Sequence, residues 1–318
     1  MPVAVLRSPH EWLDRFGAPS RPSVVTIGNF DGCHRGHQQI LRTVVERSRE
    51  RLALGSVLTF FPHPARVLRP AEAPALLETL DQRLAAIAAT GIDAVLVLPF
   101  NQELAQVSPE DFVRRILLDT MAARAVLVGG NFRFGRGGAG DIALLAELGR
   151  RWGFTTEVVP PVTENGVVIS STAIRAAIRE GRVEDARRML GRPYALDGHI
   201  RTGTGQGRKL VVPTLNLATE QEVLPKNGVY ATEAVVGDQT YRAATNVGMR
   251  PTFDGGGRVT IESHLFDFSR NLSSGPLEVR FWQRLRDERK FSGPAELREH
   301  VLKDIERARE FFQAVSKR

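Results

Sequence analysis

At 318 residues the chain is about twice the length of a typical domain, so it holds either two domains or one large one. With 42% hydrophobic and 25% charged residues and no low-complexity tract it is neither disordered nor fibrous, and the lack of any run of ~18 apolar residues excludes a membrane-spanning helix. The net charge of +7 favours an anionic partner, yet the arginines are scattered singly, without basic runs or interleaved aromatics, so that partner is not expected to be nucleic acid.

Met1 to Phe16 carry His10, Glu11, Asp14 and Arg15 where a secretory leader needs an apolar core, which makes a cytoplasmic location the expectation. The single cysteine, Cys33, excludes an intrachain disulfide and a thiolate zinc site. No lysine precedes Lys209, so a Walker loop is ruled out of the first half. Any phosphate bound there must meet histidine, arginine, hydroxyls and backbone N–H groups.

In chain order, Ser23–Ile27, Ser56–Phe61, Ala94–Leu98, Ala125–Val128 and Thr156–Val159 read as buried strands. Helical patterns lie between them, among them Gln38–Arg51, with Ile40, Leu41, Val44 and Val45 on one face, and Ser108–Met121, opened by a Ser108/Asp111 cap. Strand then helix, repeated, predicts a parallel sheet covered on both faces, with ligands at the carboxyl ends of the strands. Ser171–Glu180 and Val183–Leu190 continue as helices. From Leu196 the pattern turns to strands and tight turns: Val229–Val236 and Thr240–Thr245 flank Gly237-Asp238, and Arg258–Phe266 and Leu277–Trp282 follow. A last helix spans Pro294–Phe312. These elements predict an α/β domain over 1–186 and a small antiparallel β-barrel domain with a C-terminal helix over 187–318.

The segment from Val24 to His37 runs off a strand, turns through glycines and enters a helix. Gly28 and Gly32 let backbone approach a ligand, and the helix start offers free N–H groups to a phosphate. His34 and His37 at this junction can hydrogen-bond to the charge that builds up on a pentacoordinate phosphorus. Asp31, Cys33 and the two histidines could instead ligate a metal, but the Gly-rich strand-to-helix setting favours phosphate. Ser171 and Thr172 open a helix, so that their hydroxyls and the Arg175 guanidinium can converge on a pyrophosphate.

His34-Arg35-Gly36-His37 matches the His-x-Gly-His signature of the nucleotidyltransferases, and Gly28 to His37 resembles the first motif of prokaryotic FAD synthetases. Phe61-Pro62-His63-Pro64, Gly129 to Gly135 and Ile169 to Arg175 resemble that family's later motifs in order and spacing. The resemblance implies a Rossmann-like nucleotidyltransferase domain, with His34 and His37 catalytic. It also implies ATP and phosphate contacts from Gly28, Phe30, Asp31, Gly32, Asn131, Ser171, Thr172 and Arg175. Asn131 stands where many relatives have aspartate, and Cys33 where a small aliphatic residue is common.

In the second half, Gly203 to Leu210, Pro213-Thr214-Leu215-Asn216, Asn246 to Thr252 and Glu262-Ser263-His264 are similar in order to the riboflavin kinase domain that follows FAD synthetase in bifunctional enzymes. Gly-rich turns followed by a hydroxyl and an amide suit a phosphate loop that also holds Mg²⁺ through oxygen. The resemblance implies phosphate contacts from Gly203 and Gly207, Mg²⁺ and ATP held by Thr214 and Asn216, and Glu262 as base for the riboflavin hydroxyl. Two departures fall here: Val211-Val212 replaces Gly-Phe, and Ser273-Ser274 replaces Tyr-Gly. The expected activity is phosphorylation of riboflavin to FMN and adenylylation of FMN to FAD, with ATP, riboflavin and FMN as small-molecule partners. The alternatives are a live transferase beside an impaired kinase, another His-x-Gly-His transferase with a β appendage, and an RNA-binding or regulatory protein. A homo-oligomer is compatible with the sequence.

Overall fold

The computed structural model describes residues 2–201, 213–251, 257–270, 272–289 and 291–316. Two compact units divide the chain, Met1–Ser170 and Ser171–Arg318.

The first unit opens with β1 (Ala4–Leu6), α1 (Pro9–Phe16), β2 (Ser23–Ile27) and α2 (Arg35–Glu50), and continues through β3 (Leu54–Phe61), α3 (Pro64–Leu68), α4 (Leu80–Ala88) and β4 (Ala94–Pro99). Short helices α5 (Gln102–Ala105) and α6 (Pro109–Phe112) lead to β5 (Ala123–Gly129), α7 (Ile142–Trp152), β6 (Thr155–Val159) and a hairpin of β7 (Thr163–Glu164) and β8 (Val167–Val168). The sheet order is β1-β4-β3-β2-β5-β6, and every pairing in it is parallel.

The continuous apolar run of β2 follows from this placement, because a central parallel strand is covered on both faces. Val25 and Ile27 pack with Trp12 of α1 and Leu145 and Leu148 of α7. Val24, on the opposite face, packs with Leu41, Val44 and Val45 of α2 and Leu84 and Ile87 of α4. Strand β2 lies between β3 and β5, so the order reverses beside it. The loops leaving β2 and β5 therefore border the crevice where ligands of such sheets bind.

The helix expected over Ser108–Met121 is corrected in its second part. Ser108 caps α6 by accepting the Asp111 N–H at 3.1 Å, but Val113–Thr120 winds as a π-helix. Its wider turn shows in the bonds of Met121 N–H to the Ile116 carbonyl and of the Thr120 hydroxyl to the Arg115 carbonyl, each spanning five residues.

The second unit begins with α8 (Ser171–Arg179) and α9 (Val183–Leu190), which packs on the barrel strands β9 and β14. The strands β9 (Tyr194–Arg201), β10 (Leu215–Ala218), β11 (Gly228–Val236), β12 (Gln239–Pro251), β13 (Gly257–Leu265) and β14 (Pro276–Asp287) close a barrel in the order β10-β13-β12-β11-β14-β9, all antiparallel. Helix α10 (Pro294–Ser316) lays Ala308 and Phe312 on Ala231, Ala244 and Phe266 of the barrel wall.

Helix α10 is also tied down by charge. Arg286 on β14 makes a two-pronged contact with the nearly buried Asp304, at 2.9 Å through Nε and 2.7 Å through Nη2. Removing one partner of such a pair strands the other charge in a dry setting, at a cost of about 3 kcal/mol or more. Asp304→Ala is therefore expected to lower the thermal midpoint of the barrel unit by roughly 10 °C in calorimetry. Arg286→Met combined with Asp304→Leu should recover most of that loss, since no charge is then left unpaired.

Candidate active site

Past Ile27 the chain leaves β2 and makes a tight turn. The Gly28 N–H still reaches the Leu58 carbonyl of β3 at 3.1 Å, and the Cys33 N–H closes on the Phe30 carbonyl at 2.9 Å. Phe30, Gly32 and Cys33 all adopt left-handed backbone, at φ 53°, 83° and 33°. Two non-glycine residues in that region mark a turn held by its surroundings. Asp31 supplies one hold: it is buried, and its carboxylate accepts the Leu77 N–H at 3.0 Å.

The turn delivers His34 to the N-terminus of α2, where Nδ1 caps the helix by accepting the His37 N–H at 3.3 Å. A side-chain acceptor here satisfies one of the helix's unpaired donors. In the neutral ring the proton must then sit on Nε2, which makes that nitrogen a donor. A Cβ added to Gly36 would stand 3.1 Å from the His34 ring, so the glycine of His-x-Gly-His is where the capping imidazole lies.

The His34 and His37 rings stack with centroids 3.7 Å apart and planes 16° from parallel. Phe30 meets His37 edge-on at 5.2 Å. Among the described residues the buried His37 Nδ1 has no hydrogen-bond partner. Burial, and secondarily the neighbouring His34, hold the His37 pKa well below its ordinary 6.5. The His37 ring is thus held in its uncharged form at the positive end of α2.

The other predicted residues lie on separate elements. Asn131 is exposed in the loop leaving β5, with its carboxamide oxygen 3.7 Å from where a Gly129 Cβ would stand. Arg35 pairs with Glu164 of the β7–β8 hairpin. Ser171, Thr172 and Arg175 share the first turn and a half of α8, in the second unit, with Thr172 exposed and the other two half-buried.

Two contacts were not foreseen. His63 caps α3 by accepting the Ala65 N–H and lies 3.1 Å from the Asn29 carboxamide. Arg83, almost wholly buried on α4, donates to the Asn29 carbonyl at 2.7 Å. The first carried a signal in the Phe-Pro-His-Pro motif. The second had none, because an arginine in an amphipathic helix reads as a solvated face residue.

In the barrel, register assembles the second set. Asn216 of β10 and Asn246 of β12 both pair with Glu262 of β13, giving one row across three strands. Their neighbours Leu215, Leu217, Ile261 and Ser263 are buried, so the row stands on the other face, half-buried. Inside, the hydroxyls of Thr232, Thr245 and Ser263 join at 2.6 and 2.8 Å. This ladder pins the register, since a one-residue slip would bury Glu262 and expel Ser263. Thr214 precedes Asn216 by two residues, and His264 fixes this approach by donating from Nδ1 to the Pro213 carbonyl at 2.9 Å. Gly203, Gly207 and Val211-Val212 lie outside the described residues.

No group of three or more His, Cys, Asp or Glu suited to a metal occurs among the described residues. A hydroxyl, an amide and one carboxylate suit a hard cation that brings phosphate oxygens with it.

The FAD synthetase family model matches residues 18–173, and the riboflavin kinase family model matches residues 190–312. A bifunctional riboflavin kinase/FMN adenylyltransferase of Pseudomonas fluorescens is 38% identical, over 91% of this chain and 93% of its own. The chain belongs to the bifunctional riboflavin kinase/FMN adenylyltransferase family. Members from Escherichia coli K12, at 36% identity, and Bacillus subtilis, at 34%, each cover 93% of this chain and 94% of their own. A crystal structure from Streptococcus pneumoniae, described as a macrolide-efflux protein, superposes with a TM-score of 0.83 at 28% identity, over 96% of this chain and 97% of its own. No helix among the described residues is long and apolar enough to cross a membrane. The stacked pair thus lies within the FAD synthetase match, and the Asn216-Glu262-Asn246 row within the riboflavin kinase match. A riboflavin kinase match over the barrel removes the case for an unrelated β appendage.

The depressed His37 pKa has a consequence for stability. Because the folded ring resists protonation more than the unfolded one, the unfolded state binds more protons below about pH 6.5, and stability falls as pH is lowered through that range. Thermal melts from pH 7 to pH 5 should show a declining midpoint for the first unit, with a shallower decline in His37→Asn. An equal slope in the variant would contradict the assignment.

Proposed function

We propose that His34 and His37 carry FMN adenylylation in a module spanning residues 1–186, and that Glu262, with Thr214 and Asn216, carries riboflavin phosphorylation in a module spanning residues 187–318. The chain is a transferase of flavin cofactor synthesis: it phosphorylates riboflavin to FMN with one ATP, then joins FMN to AMP from a second ATP and releases pyrophosphate. The observation that carries the adenylylation assignment is the stacked imidazole pair at the start of α2, beside the strand-order reversal of the sheet.

In adenylylation an FMN phosphate oxygen attacks the α-phosphorus of ATP as the bond to pyrophosphate breaks. Charge grows on the non-bridging α-phosphate oxygens, and the N–H donors of His34 and His37 strengthen as it does. Neutral rings suit this role, because a donor need not lose its proton to stabilise the transition state. The turn through Gly28, Phe30, Asp31 and Gly32, and the Asn131 amide, would hold the nucleotide. Ser171, Thr172 and Arg175 would receive the leaving pyrophosphate at the N-terminus of α8.

In phosphorylation the riboflavin 5′-hydroxyl attacks the γ-phosphorus of ATP, ADP departs, and the Glu262 carboxylate accepts the hydroxyl proton. Mg²⁺ held by Thr214 and Asn216 with the ATP phosphates would neutralise charge on those phosphates. Gly203 and Gly207 would line the same phosphates. The substrates are small molecules, nucleic acid is not among them, and the cytoplasm, where ATP and riboflavin meet, is the place of action.

Purified protein given ATP, Mg²⁺ and either riboflavin or FMN, with flavins separated by chromatography, tests both assignments. His37→Ala should lower FAD formation from FMN by about 10²–10³-fold and spare FMN formation. Glu262→Ala should do the reverse. Equal loss of both activities in either variant would mean misfolding rather than a missing catalytic group.

A further inference from the structure

Arg83 is 3% exposed, at the end of the first turn of α4, beside the buried Leu84 and Ile87. Burying a guanidinium is costly, and burial indeed lowers its pKa, with the carboxylates of Asp31 and Glu78 acting the other way. Its Nε has no hydrogen-bond partner among the described residues. An apolar residue would serve the core better, so the charge is retained for something other than packing.

The bond it makes is specific. Nη1 donates to the Asn29 carbonyl at 2.7 Å, and that carbonyl belongs to the peptide plane leading into Phe30. Turning this plane sets the φ of Phe30, which stands at 53°, in the left-handed region that an aromatic residue adopts only at a cost. In that conformation the Phe30 carbonyl receives the Cys33 N–H, the Phe30 ring lies where a Gly28 Cβ would come within 3.2 Å of it, and the ring meets His37 edge-on. The segment 77–83 holds the turn a second time, through the Leu77 N–H on Asp31. The two holds differ in kind: Asp31 anchors the far side of Phe30, and Arg83 orients the near side.

We propose that Arg83 is a positioning residue for adenylyl transfer, which holds the Asn29 carbonyl and thereby fixes left-handed Phe30 and, through its ring, the orientation of His37. The proposal rests on His37 acting in FAD formation. Arg83 touches no substrate in this scheme; it keeps a donor aimed where charge develops.

The test measures kcat and KM for FAD formation from FMN and ATP in the full chain, with riboflavin phosphorylation measured on the same preparation. Arg83→Gln should lower kcat roughly 10- to 100-fold, the worth of a buried charged hydrogen bond. KM for FMN and for ATP should stay within about twofold, and the kinase rate should not change, because lost orientation acts on the transition state. Arg83→Lys, which keeps a charged donor, should restore most of kcat. Phe30→Leu should reproduce the kcat loss, and adding Arg83→Gln to it should cost little more. A kcat within about twofold of wild type in Arg83→Gln, a lysine variant no better than the glutamine one, or additive losses with Phe30→Leu would each overturn the proposal. Should Arg83→Gln fail to fold, an unchanged kcat in Phe30→Leu would overturn it alone. A wild-type chain that makes no FAD from FMN would sink the assignment of His37 itself, a different result from an active wild type with an indifferent Arg83.

Discussion

The His34 imidazole accepts the His37 N–H, one of the unpaired donors at the start of α2, and much of the first unit is arranged to permit that bond. Gly36 lacks a side chain because the ring occupies the space above it. The turn before it runs through two strained non-glycine residues so that His34 arrives at the cap position. His37, one turn into the helix, then has its own ring laid against the first. A helix start already concentrates unpaired N–H groups and partial positive charge. In the proposed scheme the stacked imidazoles extend that donor array by the length of a side chain, and the depressed pKa of His37 keeps its ring from adding a formal charge that would bind ground state and transition state alike.

Lysine is absent from this half of the chain, and the geometry explains how phosphate chemistry proceeds without it. Fixed donors on a helix start and at a strand-order reversal replace a mobile ammonium. Such donors are useful only if they do not move, and the packing beneath them is correspondingly dense. Val24 and Val25 point to opposite cores, Leu41 and Val44 seal α2 to the sheet, and the 77–83 segment grips the turn from the side.

The barrel reaches a comparable end by other means. Its candidate groups sit on strands, so their spacing comes from register rather than from a helix cap. Asn216, Glu262 and Asn246 align because β10, β13 and β12 pair as they do, and the internal hydroxyl ladder of Thr232, Thr245 and Ser263 makes any other pairing expensive. One family thus joins a site organised by a helix dipole to a site organised by strand pairing.

Alternation of strands and helices, and the later change to strands and tight turns, were enough to predict the parallel sheet and the barrel, because each depends on local pattern. The π-winding of Val113–Thr120 was not legible, since its apolar spacing differs little from that of an α-helix over so short a stretch. Nor was the row joining Asn216, Asn246 and Glu262, which depends on strand pairing across long separations. Arg83 is the plainest case. In sequence it is one arginine among many in an amphipathic helix, and only the packing of α4 against the sheet buries it under the Asn29 carbonyl. The sequence by itself determined which chemical groups the chain could bring to a phosphate. Tertiary structure decided which of them are held still, because immobility comes from burial and register, which join residues far apart in the chain.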